Sequence, residues 1–364
     1  MDWETFQKHK SFAGEKKPSM KRRDIGHDYT ERHMYMITME VEGRLPLFGR
    51  LTGNAFAERG SSDEPRIVLT PLGEAVQREW MGIHGYYPQI EVKAVQMMPD
   101  HMHGILFVMA PLPVHLGQVI SGFKAGCRKA QRLLTQMEAM STATEPLYTG
   151  EGMQASQYMA AQPSAKHGGS LFAKGYNDLI LRSYEEYQHW ENYLRDNPRR
   201  LLMKRARPNF LRPFFNWQIG SWTYNGIGNR QLLAASWRQN VLISNHHSPK
   251  ELEAEVNRYV ADAKAGCVLV SPAISKGEKC VMRTVFNMKL PTVVVMRNGF
   301  TPLSKPKGEQ FDACADGRLL MLSAWPHINE RIKLTRWDCT QMNLMAQELS
   351  RLDIDCESTN PLTK

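Results

Sequence analysis

His101 and His103 stand two residues apart, with Met102 between them, where an apolar run, HGILFVM (103–109), begins. Side chains alternate along a strand, so both imidazoles project from one face, and their neutral nitrogens can reach a single divalent metal ion. Two histidines leave such an ion short of donors. The segment SYEEYQHWENYLRDN (183–197) has helical spacing and supplies more: Tyr193 and Asn197 are four apart, hence on one helical face, and the carboxamide oxygen of Asn197 suits a hard cation. Each feature also has an ordinary structural explanation. The histidines fit a strand end, the tyrosine a half-buried aromatic position, and the asparagine a helix end before Pro198.

The elements that must position these groups read as follows. HMYMITMEV (33–41) alternates as a strand, PLGEAVQREW reads as a helix with Thr70 as N-cap and Pro71 first, and IEVKAVQM (90–97) is a strand. Met98-Pro99-Asp100 is a hairpin-type turn, and residues 103–109 are apolar on both faces, as in a covered strand. HLGQVISGFKAGCRKAQRLLTQM (115–137) has helical periodicity with a basic face that includes Lys124, Arg128 and Lys129. Residues 136–169 show no period and read as a flexible insertion. LFAKGYNDLILR (171–182) is a strand, followed by a helix capped by Ser183 and Glu186 and ended by Pro198. The order β-α-β-β-α-β-α predicts an α+β, ferredoxin-like sandwich with one extra helix on the open face of its sheet.

Charge indicates the class of partner. Of 364 residues, 46 are basic and 37 acidic, giving +9 and an isoelectric point near 9.2, which favours a polyanion. From Arg195 to Arg212, seven basic residues face the single acid Asp196 and supply six of those nine charges. Arg199, Arg200, Lys204 and Arg205 form its centre and are expected to contact phosphates, with Lys124, Arg128 and Lys129 as a second path. No apolar stretch is long enough to cross a membrane; the longest, Gly104 to Val114, holds two prolines. The N-terminus lacks the apolar core of a secretory signal, and six cysteines form no C-x-x-C pair. Both features predict a cytoplasmic protein with reduced thiols.

Taken together, QMMPDHMHGILFV and FAKGYNDLILRSYEEYQHWENYLRDNP closely resemble the single-tyrosine HUH transposases, in particular the REP-associated tyrosine transposase branch of the IS200-like family. GHDYTERHMYMITMEVEGRLPLFG resembles that family's first strand, so the resemblance spans about residues 26–205, interrupted by the insertion at 136–169. It implies an HUH domain in which Tyr193 is the nucleophile and His101, His103 and Asn197 hold Mg or Mn. It also implies nicking and joining of single-stranded or hairpin DNA through a 5′-phosphotyrosine and a free 3′-hydroxyl, as in transposition. Tyr176, Tyr184 and Tyr187 lie nearby, but only Tyr193 has an asparagine one turn later. A homodimer is compatible with this reading, and a DNA-binding protein of the same fold that no longer cuts is the alternative.

The C-terminal half has a different pattern. Short Val-rich strands (240–245, 267–271, 292–296, 319–323) alternate with helices and predict an α/β, Rossmann-like, doubly wound parallel sheet. Its loops loosely resemble those of DNA-processing protein A and its lysine-decarboxylase-like relatives. That likeness makes Ser244, Asn245, Ser271, Ser275 and Gly277 candidates for a phosphate or nucleotide site at helix N-termini, in a sensor of nucleotides or single-stranded DNA. The expected division is a basic arm (1–25), the HUH domain (26–205), a basic and aromatic linker (206–228) and the Rossmann-like domain (229–364).

Overall fold

A computed structural model describes residues 26–142, 170–244 and 247–353, the side chains of 138–142 excepted. The expected basic arm, most of the expected insertion and Asn245 lie outside the described residues. The chain divides into two compact units, Met1–Leu202 and Met203–Lys364.

The first unit is built on a four-stranded antiparallel sheet. Its strands are β1 (Met34–Glu40), β4 (Ile90–Met98), β5 (His101–Val108) and β6 (Asn177–Leu181), standing in the order β4-β5-β1-β6. This is the split arrangement expected from the order of elements. A small hairpin of β2 (Gly49–Thr52) and β3 (Arg66–Leu69) was not legible in the sequence, since its strands are only four residues each. Helix α1 (Pro71–Met81) begins as its sequence predicts: Pro71 follows Thr70, whose hydroxyl accepts from the Gly73 N–H at 3.0 Å. Helix α2 (Leu116–Thr142) extends seven residues into the segment expected to be an irregular insertion.

One face of this sheet carries Tyr35, Ile37 and Met39 of β1 with Met102, Leu106 and Val108 of β5, buried under Val76 and Trp80 of α1 and Phe123 and Cys127 of α2. Gly104 makes the close packing possible: a Cβ built there would stand 2.3 Å from Trp80 Cζ2. The other face carries Met36, Ile105 and Leu181, and is covered by Leu194 of helix α3 (Tyr184–Ala206).

The second unit contains a six-stranded mixed sheet in the order β7-β8-β12-β11-β10-β9. The segment expected to be a linker belongs to it. It supplies the antiparallel strands β7 (Phe214–Ile219) and β8 (Trp222–Gly228), which join the edge of the sheet through β12. Alternating aromatic and polar residues, FFNWQI and WTYNGIG, bury Trp217, Ile219, Tyr224 and Ile227, and a hydrated linker would leave these exposed.

Strands β9 (Arg238–Asn240), β10 (Val268–Ser271), β11 (Thr292–Val295) and β12 (Leu319–Ser323) are parallel, as predicted, but β9 ends at Asn240, where the sequence pattern placed a strand over 240–245. They stand in chain order, so the winding never reverses. The doubly wound expectation is therefore incorrect for these strands, and the reversal point where such sheets place a ligand does not arise among them. Helices α4 (Pro249–Lys264) and α5 (Lys276–Asn287) pack on one face, and α7 (Arg336–Arg351) packs on the other. A shorter helix, α6 (Gly308–Ala315), precedes β12. Among the described residues no helix is long and apolar enough to cross a membrane, and Cys127, Cys267, Cys280, Cys314 and Cys339 are free thiols.

Two measurements probe these cores. Gly104→Ala forces Trp80 to move and should destabilise the first unit by about 1–3 kcal/mol, the usual cost of overpacking, in urea unfolding. In the second unit, Asp338 accepts from Thr335 N–H and Oγ1 and from Arg297 Nε, and these bonds lower its pKa from 3.8 to about 2. A depressed carboxyl pKa adds stability that is full above pH ~4 and is lost as pH falls toward 2. The thermal midpoint of the wild type should therefore fall across that window, and Asp338→Asn should lack this part of the fall.

Candidate metal and nucleophile site

His101 and His103 open β5 on the sheet face covered by α3, since they share its side with Ile105. Their ring centroids are 4.9 Å apart and the rings are nearly perpendicular. Each ring is held by its Nδ1. His101 Nδ1 lies 2.6 Å from Asp100 Oδ1, and His103 Nδ1 lies 2.8 Å from Thr38 Oγ1, in register across the β1–β5 ladder. Partners at Nδ1 fix ring orientation and leave Nε2 as the donor toward a metal. Burial, reinforced by His101 and then Arg44, holds the His103 pKa down to about 3, so this imidazole is neutral and ligand-ready at neutral pH.

Asp100 is shared. Arg44 reaches it at 3.3 Å and also pairs with Glu40 at 2.9 Å, from a backbone in the left-handed region at φ 57°. Thr38, Glu40, Arg44 and Asp100 are not among the site residues expected from the sequence. Asp100 could have been noticed beside His101 in the turn. Thr38 and Glu40 become partners only through strand register.

Helix α3 starts as expected, with Ser183 Oγ accepting from the Glu186 N–H at 3.2 Å, while Glu186 reaches the N–H of Arg182 at 2.7 Å. It does not stop at Pro198 but continues to Ala206. Proline has no N–H to offer the carbonyl one turn back, yet Leu194, Asn197, Pro198 and Met203 are all buried, and this packing keeps the helix going. Tyr193 is half-buried, packed edge-on against Trp190 at 5.3 Å and lying under the Arg200 guanidinium at 5.8 Å. Tyr187 is drawn into the same apolar cluster, and burial, with a hydrogen bond to Glu191, raises its pKa. Tyr184 is exposed at the helix start, and Tyr176 is buried in the opposite core.

Asn197, one turn beyond Tyr193, is 7% exposed, and its Nδ2 has no hydrogen-bond partner. Unpaired buried amides are rare and mark groups kept for something other than stability. Two further contacts involve the neighbouring elements. Asp196 pairs at 3.5 Å with Arg59, in the β2–β3 connection, and Phe48, just before β2, donates to the carbonyl of Pro99 in the turn ahead of His101. Two imidazoles and a carboxamide oxygen are donor types that a divalent cation accepts.

The continuous cationic track expected from the sequence is broken. Arg199 is committed to Asp196 by two bonds of 2.6 and 2.9 Å, and Arg200 lies 3.9 Å from the same carboxylate. Lys204 lies 5.9 Å from the Phe311 ring centroid, and Arg205 is exposed. Lys124 is likewise a structural residue: it donates to the carbonyls of Ala173 and Gly175, and burial lowers its pKa. Arg128 and Lys129 remain on the exposed side of α2.

The expected phosphate site in the second unit is also occupied by the protein itself. Ser275 caps α5, and the Glu278 carboxylate, 2% exposed, accepts from the N–H groups of Ile274 and Ser275. A phosphate would have to displace a buried anion. Gly277 serves packing, since a Cβ there would stand 2.5 Å from Ile243 Cγ2. Ser271 is fully buried, accepting from the Ala273 N–H, and Ser244 is exposed. Helices α4 and α7 are closed in the same way by Glu251 and Asp338.

Because Arg199 is bound internally, Arg199→Gln should lower stability by about 1.5–3 kcal/mol, the range for hydrogen bonds to charged groups. Arg128→Gln with Lys129→Gln should leave thermal unfolding nearly unchanged.

No family model matches the chain. An uncharacterised protein of Haemophilus influenzae is 22% identical over 176 residues, covering 47% of this chain and 83% of that protein. Among solved structures, the chain is similar to a REP-associated tyrosine transposase bound to a REP hairpin, at 12% identity and TM-score 0.26, over 48% of this chain and 72% of that one. It is also similar to a candidate transposase from Deinococcus radiodurans, at 14% identity and TM-score 0.24, over 48% of this chain and 97% of that one. At these identities and scores, neither a family nor an activity follows from the likeness.

Proposed function

We propose that the first unit nicks and rejoins single-stranded DNA in a metal-dependent reaction, with Tyr193 as nucleophile and His101, His103 and Asn197 as metal ligands. The observation that carries this reading is that two imidazoles, held at Nδ1 by Asp100 and Thr38, stand on the sheet face covered by the helix that bears Tyr193 and Asn197. In that helix Tyr193 comes one turn before Asn197. The resemblance of both segments to single-tyrosine HUH transposases supports the same assignment.

A divalent metal, when bound, supplies Lewis-acid polarisation of the scissile phosphate. The chain's own residues do the rest. Tyr193 Oη bonds to phosphorus as the bond from phosphorus to the 3′-oxygen breaks. The phenol gives up one proton and the departing 3′-oxygen takes one up, leaving a 5′-phosphotyrosine and a 3′-hydroxyl. Attack by a 3′-hydroxyl reverses the step and rejoins the strand, so no nucleotide cofactor or water is consumed. The Arg200 guanidinium lies over the Tyr193 ring, 5.8 Å from its centroid. Arg128, Lys129 and Arg205, which are exposed, are the cations available to phosphates.

Covalent capture tests the proposal. Wild-type protein with a labelled single-stranded hairpin oligonucleotide and Mn should give an adduct that maps to Tyr193. Tyr193→Phe should give none, and His101→Ala with His103→Ala should lower capture at least a hundredfold. Asp100→Asn should lower it about 10- to 100-fold while retaining the fold, as expected for a partner that orients a ligand. Adduct on a different tyrosine, or capture undiminished by chelator, rules the assignment out.

A further inference from the structure

The second unit holds a groove of about 500 Å³ between α5 and α6, a volume typical of small-molecule sites. Its floor is a square of four side chains from adjacent parallel strands: Thr292 and Val294 of β11 beside Leu319 and Met321 of β12, paired in register. One wall is the stripe Lys279, Met282, Arg283 and Phe286 of α5, spaced as one helical face. The other wall is the start of α6, with Lys307, Glu309 and Gln310. The two walls are joined at the surface by an ion pair, Arg283 to Glu309 at 3.7 Å, between largely exposed side chains.

Three properties define what this groove can hold. Thr292 is 1% exposed, and its Oγ1 has no partner. It faces the groove, because its neighbours Val293 and Val295 join the core on the other side of the sheet. A buried hydroxyl without a partner costs stability, so a ligand that supplies one gains from it. Above it the lining is apolar, with Met282, Met321 and Phe286 suited to an aromatic ring. At the rim, Lys279 and Lys307 have no carboxylate within ion-pair distance among the described residues, so their charge is uncompensated.

We propose that this groove binds a small aromatic anion, with its charge at Lys279 and Lys307 and a hydrogen-bonding group at its buried end on Thr292. The site is separate from the His101 and Tyr193 chemistry and stands or falls independently of it. It also differs from the expected phosphate site at the α5 N-terminus, which Glu278 closes.

Calorimetry on the full chain with three probes tests the site: 4-hydroxybenzoate, benzoate and 4-hydroxybenzamide. The first should bind about tenfold more tightly than benzoate, which lacks the buried hydroxyl, and about tenfold more tightly than the uncharged amide. Thr292→Val should erase the preference for 4-hydroxybenzoate while leaving benzoate binding and the fold intact. Lys279→Gln with Lys307→Gln should weaken both anions and spare the amide. Absence of saturable 4-hydroxybenzoate binding, or an unchanged preference in Thr292→Val, overturns the proposal.

Discussion

The register of β5 against β1 decides where the two imidazoles can be. Met102, Leu106 and Val108 are buried under α1 and α2, and Gly104 lets the Trp80 ring lie against the strand. With that face closed by packing, His101 and His103 must project from the other. A slip of one residue would bury both imidazoles and expose the apolar set, so the same forces that form the core aim the candidate ligands. Register also brings Thr38 opposite His103 and Glu40 opposite His101, turning two histidines into an oriented pair.

Most polar groups in both units are satisfied close to home. Arg199 and Arg200 are held by Asp196, Lys124 by two backbone carbonyls, and the N-termini of α4, α5 and α7 by their own Glu251, Glu278 and Asp338. Several buried polar atoms of the described residues, Trp80 Nε1, Tyr224 Oη and Asn343 Oδ1 among them, nevertheless have no hydrogen-bond partner, and two bear on the proposed sites. Asn197 Nδ2 lies on the helix that bears Tyr193, and Thr292 Oγ1 lies under a groove rimmed by lysines. An unmet hydrogen bond in the interior is costly, and each of these sits where a ligand would meet it.

Net positive charge is thus a poor map of a nucleic-acid surface here. The run from Arg195 to Arg212 contains most of the excess charge, yet Arg199 and Arg200 within it pair with Asp196. Arg195, Arg205 and Arg212 of the run are exposed, as are Arg128 and Lys129 on α2.

Period and local capping determined much of this protein from its sequence alone. The alternation of β1 and β5, the caps at Thr70 and Ser183, the split order of the first sheet and the parallel Val-rich strands of the second all follow from interactions within a few residues or from the apolar pattern. His101, His103, Tyr193 and Asn197 were legible because strand and helix spacing put each pair on one face. Tertiary structure alone decided the rest. Burial carried α3 through Pro198 against the local preference of proline, and the aromatic hairpin at 214–228 became sheet because only there could its rings leave water. The order of the parallel strands, the partner Thr38 and the capture of Lys124 by two carbonyls depend on groups finding one another in the folded packing. That information lies in long-range complementarity, to which residue type and spacing are blind.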